Sequence, residues 1–472
     1  MRRRSSPIPR LLAVLTTLSL VAGCAASPSP GASGAGASGG VTGDAVEIRW
    51  FCCLGAGNAA EQVKVEKEVA DEFNASHPGI HLTFDVSNFQ DAYQVFGTQL
   101  NSPDPPDIVG PVGIGGGNAF PNVWLDLSDE IQANNYDLSQ FPDNLVQIYQ
   151  LPDEGQTGIP FAIYPSALFY RKSLFEEAGL NEPPHAYGDK YVMPDGSEVD
   201  WNYDTIRQIG KILTVDKNGN DATSASFDPK NIVQWGFEPQ RDDLRQTGAY
   251  WGAGRLVADD GTTAQIPDAW AAAWHSFYDG MHVDHMTMTG QQFQSPDFNP
   301  SDYPFFTGNV AMSTNYLWST YGIGDAGDDV DLAALPSYNG QVTAAFNADT
   351  FRILKKSDHP HEAFIAMSYL LNEAAPKLLN TYGGMPAREA ERDAFFETLQ
   401  GGFKQTIDWQ VAVDGIQYAD NPNFESPMPN YNEALNVLNT FGTRWQTTPG
   451  LDLDAEIEKL RGELQKTFDA AP

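Results

Sequence analysis

Cys52 and Cys53 stand side by side, and their chemistry depends on the compartment. Outside the cytoplasm, adjacent cysteines can oxidise to an eight-membered ring. Two outcomes stay open: a vicinal disulfide, or two free thiols packed on either side of a strand. The pair follows the alternating β-forming run 46–51 and precedes residues 54–58, which break it. Asn58 and Glu61 then open a helix whose free N–H groups favour an oxygen-rich partner. Asn88 and Asp91 flank a second loop, and residues 110–118 supply a third. For these polar residues, the competing role is a solvated loop position or a helix cap.

Other motifs fail on their own chemistry. Gly113-Ile114-Gly115-Gly116-Gly117 follows a strand but lacks both the GxGxxG spacing and a Lys-Ser/Thr, so it reads as a close-approach loop, not a phosphate loop. Residues 216–221 mimic the start of a calcium loop, yet the glycine is one place early and position twelve is Phe227 rather than Glu. A hairpin turn is the better reading. His275, His282 and His285 form a short polar cluster, which by itself does not make a metal site. No Ser-His-Asp or Cys-His arrangement stands out. No cofactor is expected.

These residues need elements to hold them. Val63, Val65, Val69 and Phe73 recur at mostly helical spacing, residues 80–86 alternate as a strand, a helix follows through 93–100, and 107–109 is a buried strand. Strands alternating with helices predict βαβ units and a largely parallel sheet, with ligands in crevices at the strands' carboxyl ends. Helices are also predicted at 203–213, 270–279 and 362–371, the last capped by Ser357 or Asp358 with Pro360 in its first turn. Residues 182–202 and 218–230 read as long decorated loops.

Composition bounds the partners. The 472 residues carry 62 acids against 28 bases, 41% hydrophobic residues and ten tryptophans. A large core must exist, and a charge of −34 argues against nucleic acid or an anionic membrane surface. Three cysteines cannot staple such a chain. Arg2, Arg3, Arg4 and Arg10 precede an apolar run of about a dozen residues, too short for the ~20 of a spanning helix and right for a signal peptide over 1–23. Val21-Ala22-Gly23-Cys24 resembles the bacterial lipobox, in which the cysteine is acylated; an ordinary secretory cleavage site is the alternative. Residues 24–44, rich in Ser, Gly, Ala and Pro, read as a flexible tether with a reach of ~25 Å.

Four blocks then carry a resemblance. Residues 160–180, beginning Pro160-Phe161-Ala162-Ile163-Tyr164-Pro165, come first. Next is Phe306-Thr307-Gly308-Asn309-Val310-Ala311-Met312 through Trp318. Ala334-Leu335-Pro336 with Gly340, Ile353 and residues 358–364 follow, and Thr381-Tyr382-Gly383-Gly384-Met385-Pro386-Ala387-Arg388 is last. In this order they resemble the extracellular sugar-binding proteins of ABC transporters, the maltose-binding-protein-like solute-binding family, over roughly residues 45–465.

The resemblance implies a two-lobed periplasmic-binding-protein-like α/β fold of type II, with discontinuous lobes joined by a hinge around a ligand cleft. One lobe would comprise 45–161 plus 346–383, the other 162–345 plus 384–465, with crossings near 162–166, 343–347 and 383–386. The longer inserts at 183–202 and 216–230 weaken any carry-over inside the second lobe. The matching blocks best place Tyr164, Tyr250, Trp251, Tyr316 and Trp318 as flat platforms for the weakly apolar face of a sugar. Asn347 and Asp349 lie at a proposed crossing with Gly383 near another; Arg388 follows, as a ligand contact or a structural salt bridge. A vicinal ring at Cys52–Cys53 would present a sulfur surface to the sugar.

The resemblance further implies a monomeric, non-enzymatic import receptor outside the cytoplasm, anchored through Cys24, which closes on its cargo and delivers it to an ABC permease. Several aromatics and the extra loops favour an oligosaccharide. A secreted glycoside hydrolase is the competing class; it needs a placed pair of carboxylates, and no motif marks one. A polyamine or another non-sugar solute is the alternative cargo.

Overall fold

The computed structural model describes residues 45–151, 154–240, 244–295, 304–420 and 428–471. The signal-peptide, lipidation and tether readings on residues 1–44 lie outside the described residues. Residues 45–472 form one compact unit.

The chain opens as the sequence pattern predicts. Strand β1 (Val46–Cys52) is followed by helix α1 (Ala60–Ser76), β2 (Ile80–Val86), α2 (Phe89–Gln99) and β3 (Ile108–Gly113). Strand β1 pairs in parallel with both β2 and β3. Residues 113–117 differ from the expected loop: Ile114–Ala119 coils into a short helix, α3. Glycines are permitted there because the helix packs directly on the backbone of residue 54; a Cβ on Gly116 would lie 2.7 Å from Leu54 Cβ.

The remaining strands of the large sheet are β4 (Ala162–Arg171), β5 (Val215–Asp216), β6 (Ile232–Phe237), β7 (Val310–Tyr316), β8 (Val330–Ala333), β9 (Phe346–Ile353) and β10 (Met385–Pro386). The main path runs β2-β1-β3-β9-β4-β7-β6-β5, with β8 and β10 also on β4. Parallel pairing survives on the two flanks, including β6 with β7. The centre is antiparallel, which corrects the expectation of a largely parallel sheet. The reason is that β4 and β9 return through the middle of the sheet instead of completing βαβ crossovers.

Strand β4 is the pivot of this architecture. Its first half pairs with β9 and β10, its second half with β7 and β8. The three segments read from the sequence as crossings therefore lie side by side. Ile163 faces both Ala348 and Met385, and the Ser166 N–H bonds to the Ala345 carbonyl.

Packing follows the amphipathic stripes. On one flank, Ile48 and Trp50 of β1 lie buried with Val69 and Phe73 of α1. On the other, Tyr203–Leu213 forms α4 as predicted, and Asp268–His282 forms α5, burying Trp270, Trp274 and Phe277. Helix α6 (Pro360–Leu371) has Pro360 in its first turn, but His359, not Ser357 or Asp358, is its N-cap. Ser357 is occupied elsewhere, donating to Asp107 at 2.5 Å. Helix α7 (Ala375–Tyr382) ends on Gly383, whose φ of 66° turns the chain into β10. Part of the decorated segment 182–202 is a small hairpin, Lys190–Val192 against Glu198–Asp200.

Candidate functional site

The central strands set the floor of the site. Side chains two apart share one face of a strand, so Tyr164 and Ser166 of β4 point the same way. Their register partners, Asn347 on β9 and Tyr316 on β7, share that face. The chain leaving β7 turns as a 3₁₀ helix, Leu317–Gly322, and brings Trp318 back over it. Trp318 stacks on Tyr316 with centroids 4.3 Å apart and meets Tyr164 edge-on at 5.3 Å. Tyr250 continues the row, 6.4 Å from Tyr316.

Four of the five aromatics singled out from sequence thus form one ladder. Tyr164, Tyr316 and Tyr250 are buried, while Trp318 is half-buried and presents the row's accessible indole. The fifth, Trp251, lies between Tyr338 at 4.3 Å and Tyr203 at 4.8 Å. It belongs to an adjoining aromatic stack.

Polar atoms accompany the ladder. Tyr164 Oη, Ser166 Oγ, Ser319 Oγ, Asn315 Oδ1 and Trp251 Nε1 are buried and make no hydrogen bond among the described residues. Asn58 Nδ2 and Asn118 Nδ2 share that condition. Buried polar groups without partners are costly, so such groups mark places built to meet a polar ligand or solvent. Burial pushes the Tyr164 hydroxyl well above its usual 10, keeping it a neutral donor and acceptor.

Asp349 sits two residues beyond Asn347, opposite Ala162 and Gly113. Its Oδ2 accepts the Ala56 N–H at 3.2 Å, tying the loop after β1 to the central strand β9. Burial raises this carboxyl to about 6, partly offset by that bond. Asn88 and Asp91 are exposed and hydrogen-bond each other at 2.6 Å where α2 begins, so they act as a helix cap. Glu61 is also exposed.

Arg388 takes the structural branch of its two readings. The guanidinium donates to Gln140 at 2.6 Å, the Leu371 carbonyl at 2.7 Å, Asn372 at 2.5 Å and the Tyr136 hydroxyl at 3.1 Å. It also lies 4.9 Å from the Phe141 ring centroid. Arg388→Met is expected to cost about 2–4 kcal/mol of stability by removing these bonds, of which the one to the Leu371 carbonyl is buried, with ligand affinity of the folded protein unchanged. Urea unfolding beside calorimetric titration checks both; lost affinity at intact stability would return Arg388 to the ligand site.

The structure joins Cys52 and Cys53 as a disulfide of adjacent residues. Both are 0% exposed. The sulfurs lie under Gly57, whose φ of 114° excludes a side chain: an added Cβ would meet Cys53 Sγ at 2.6 Å and Cys52 Sγ at 2.8 Å. In this conformation the ring faces the protein interior and offers no open sulfur surface.

What it does face was missed from sequence. Glu66 of α1 is 0% exposed, with Oε1 3.6 Å from Cys52 Sγ and 2.7 Å from the Tyr382 hydroxyl, which donates to it. Burial raises Glu66 from 4.5 to about 8, the Tyr382 bond working the other way, so the carboxyl holds a proton near neutrality. A signal existed: positions 66, 69, 70 and 73 are the buried stripe of α1, so a glutamate at 66 stands where the helix period demands an apolar residue.

The calcium-like turn is explained without an ion. The Asp216 carboxylate accepts N–H groups of Asn218, Asn220 and Asp228 at 2.7–3.0 Å and the Asn220 amide at 3.1 Å, which fills its acceptor positions. The histidines do not converge: His275 pairs with Asp454 and His282 with the Trp445 carbonyl.

Comparison with known proteins agrees with this architecture. The family model for bacterial extracellular solute-binding proteins matches residues 56–377. A binding protein of Brucella abortus is 28% identical over 125 residues, 25% of this chain and 28% of the relative, so the match spans under a third of that relative's length. Among solved structures, an ABC substrate-binding protein of Listeria monocytogenes in complex with cycloalternan superposes with a TM-score of 0.70 at 19% identity, covering 90% of this chain and 100% of the other. UgpB of Mycobacterium tuberculosis with glycerophosphocholine gives 0.67 at 15% identity, covering 90% and 99%. The sugar-binding protein MalE of Xanthomonas citri gives 0.66 at 15%, covering 90% and 98%. These neighbours are binding proteins, and the likeness shows the two-lobed fold expected from the four blocks. The chain belongs to the bacterial extracellular solute-binding protein family.

Proposed function

We propose that this chain is the lipid-anchored receptor of an ABC import system, capturing a neutral sugar, an oligosaccharide, and delivering it to a membrane permease. The observation that carries the reading is the ladder Tyr164–Trp318–Tyr316–Tyr250, with its half-buried indole and the unpartnered hydroxyls of Tyr164, Ser166 and Ser319 beside it. Flat aromatic faces with neutral hydroxyl and amide groups suit a ring with apolar C–H faces and a hydroxyl rim.

In this reading the lobes comprise 45–161 plus 346–383 and 162–345 plus 384–465, hinged where β4, β9 and β10 run together. Closure follows from differential contacts: sugar bound on one lobe gains partners from the other only in the closed form. Acylation of Cys24 and the 24–44 tether would hold the receptor near its permease at high effective concentration. The chain acts as a monomer and performs no catalysis.

Isothermal titration of the purified chain against neutral oligosaccharides, monosaccharides, polyamines and glycerophosphodiesters tests this. The expected result is saturable binding of one intact oligosaccharide at micromolar affinity or tighter. Preference for a polyamine or phosphodiester would replace the cargo, and breakdown products after incubation would replace the class with a hydrolase.

A further inference from the structure

We propose that Cys52, Cys53 and Glu66 form, once their disulfide is reduced, a buried site for a thiophilic divalent cation of the zinc group. The proposal is independent of the sugar reading. The two sulfurs and a carboxylate oxygen lie within 4.8 Å of one another, and all three residues are buried. Among the described residues this is the group of three or more His, Cys, Asp or Glu side chains that gathers this closely.

One donor pair already has the right spacing; the two sulfurs, bonded to each other here, must part on reduction to the ~3.8 Å that two thiolates on one tetrahedral zinc require. A tetrahedral zinc with sulfur at ~2.3 Å and oxygen at ~2.1 Å sets those two ligands about 3.6 Å apart. Cys52 Sγ and Glu66 Oε1 are separated by 3.6 Å. Glu66 Oε2 is buried and makes no hydrogen bond among the described residues, so the carboxylate keeps an oxygen for a cation. The Tyr382 hydroxyl, 2.7 Å from Oε1, orients the carboxylate as outer-shell partners orient metal ligands. Two thiolates and one carboxylate select a soft or borderline cation over magnesium or calcium, which require mainly oxygen donors.

The electron balance is simple. An external dithiol transfers two electrons and two protons, becomes a disulfide itself, and converts the Cys52–Cys53 bond into two thiols. The cation then replaces the protons of both thiols and of the Glu66 carboxyl, which leave to solvent. The oxidised chain has no thiolate to offer and cannot bind.

The test uses the full chain, reduced with a dithiol, freed of it by gel filtration under argon, and titrated with cadmium. We expect a thiolate-to-metal absorption band that saturates at one equivalent, is reversed by zinc, and is absent from the oxidised chain. Glu66→Gln should weaken the cation at least ~10-fold while keeping the band. A folded chain that shows two reactive thiols but no band would overturn the proposal, as would failure of the folded chain to yield those thiols at all. The oxidised parent provides a folded control needing no substitution.

Discussion

Trp318→Ala is expected to weaken solute binding about 100-fold, ~2.7 kcal/mol, measured by isothermal titration with whichever solute the panel identifies. The indole is the half-buried member of the ladder, and its other face rests on Tyr316 at 4.3 Å and against Tyr164 at 5.3 Å. Removing it takes away the exposed platform while leaving the buried rings in place. Trp318→Phe keeps a flat ring and should stay within ~10-fold of the parent.

Trp251→Ala supplies the contrast. That side chain is 8% exposed and held between two tyrosines, so its truncation should cost ~3–5 kcal/mol of folding stability, as for other large buried aromatics. Unchanged affinity in Trp318→Ala would remove the ladder from the binding site and with it the main support for a sugar cargo.

The second large effect is on stability against pH. Glu66 titrates at 4.5 when unfolded and near 8 in the folded protein. Between those values the folded state binds the extra proton, so unfolding free energy must fall as pH rises. The loss begins near pH 4.5 and is complete near pH 8, ~5 kcal/mol at 1.36 kcal/mol per pKa unit. Asp349, raised from 3.8 to about 6, acts in the same direction over a lower window.

Glu66→Gln keeps the shape and cannot ionise. With the disulfide oxidised throughout, it should match the parent near pH 4 and be the more stable protein near pH 8. Urea unfolding at several pH values reads this directly. A parent that gains stability from pH 6 to 8, or a variant that follows the parental slope, would show that Glu66 is solvated in the folded protein.

What the sequence determined by itself was whatever depends on neighbours along the chain. Alternation and helical spacing placed β1, α1 and β2, the hydrophobic period gave α4 its bounds, and four ordered blocks gave the family later matched over 56–377. Those signals are local: each needs only the repeat of a strand or helix, or a short run of fixed residue types.

Tertiary structure decided what each polar residue does. Arg388 and the ladder aromatics were both read from family blocks, yet Arg388 is consumed by Gln140, Asn372 and three other acceptors, Glu391 among them, while Trp318 stays half-buried beside the sheet's pivot. Nothing at positions 388 or 318 announces this, because the deciding neighbours lie elsewhere in the chain: Arg388's span residues 136–391, and Trp318 meets Tyr164. The burial of the cysteine pair was equally hidden, since the groups covering its sulfurs come from a glycine with positive φ and the inner face of α1. Burial and partner choice depend on contacts between distant segments, and a hydrogen bond or a desolvation penalty exists only once folding brings those segments together.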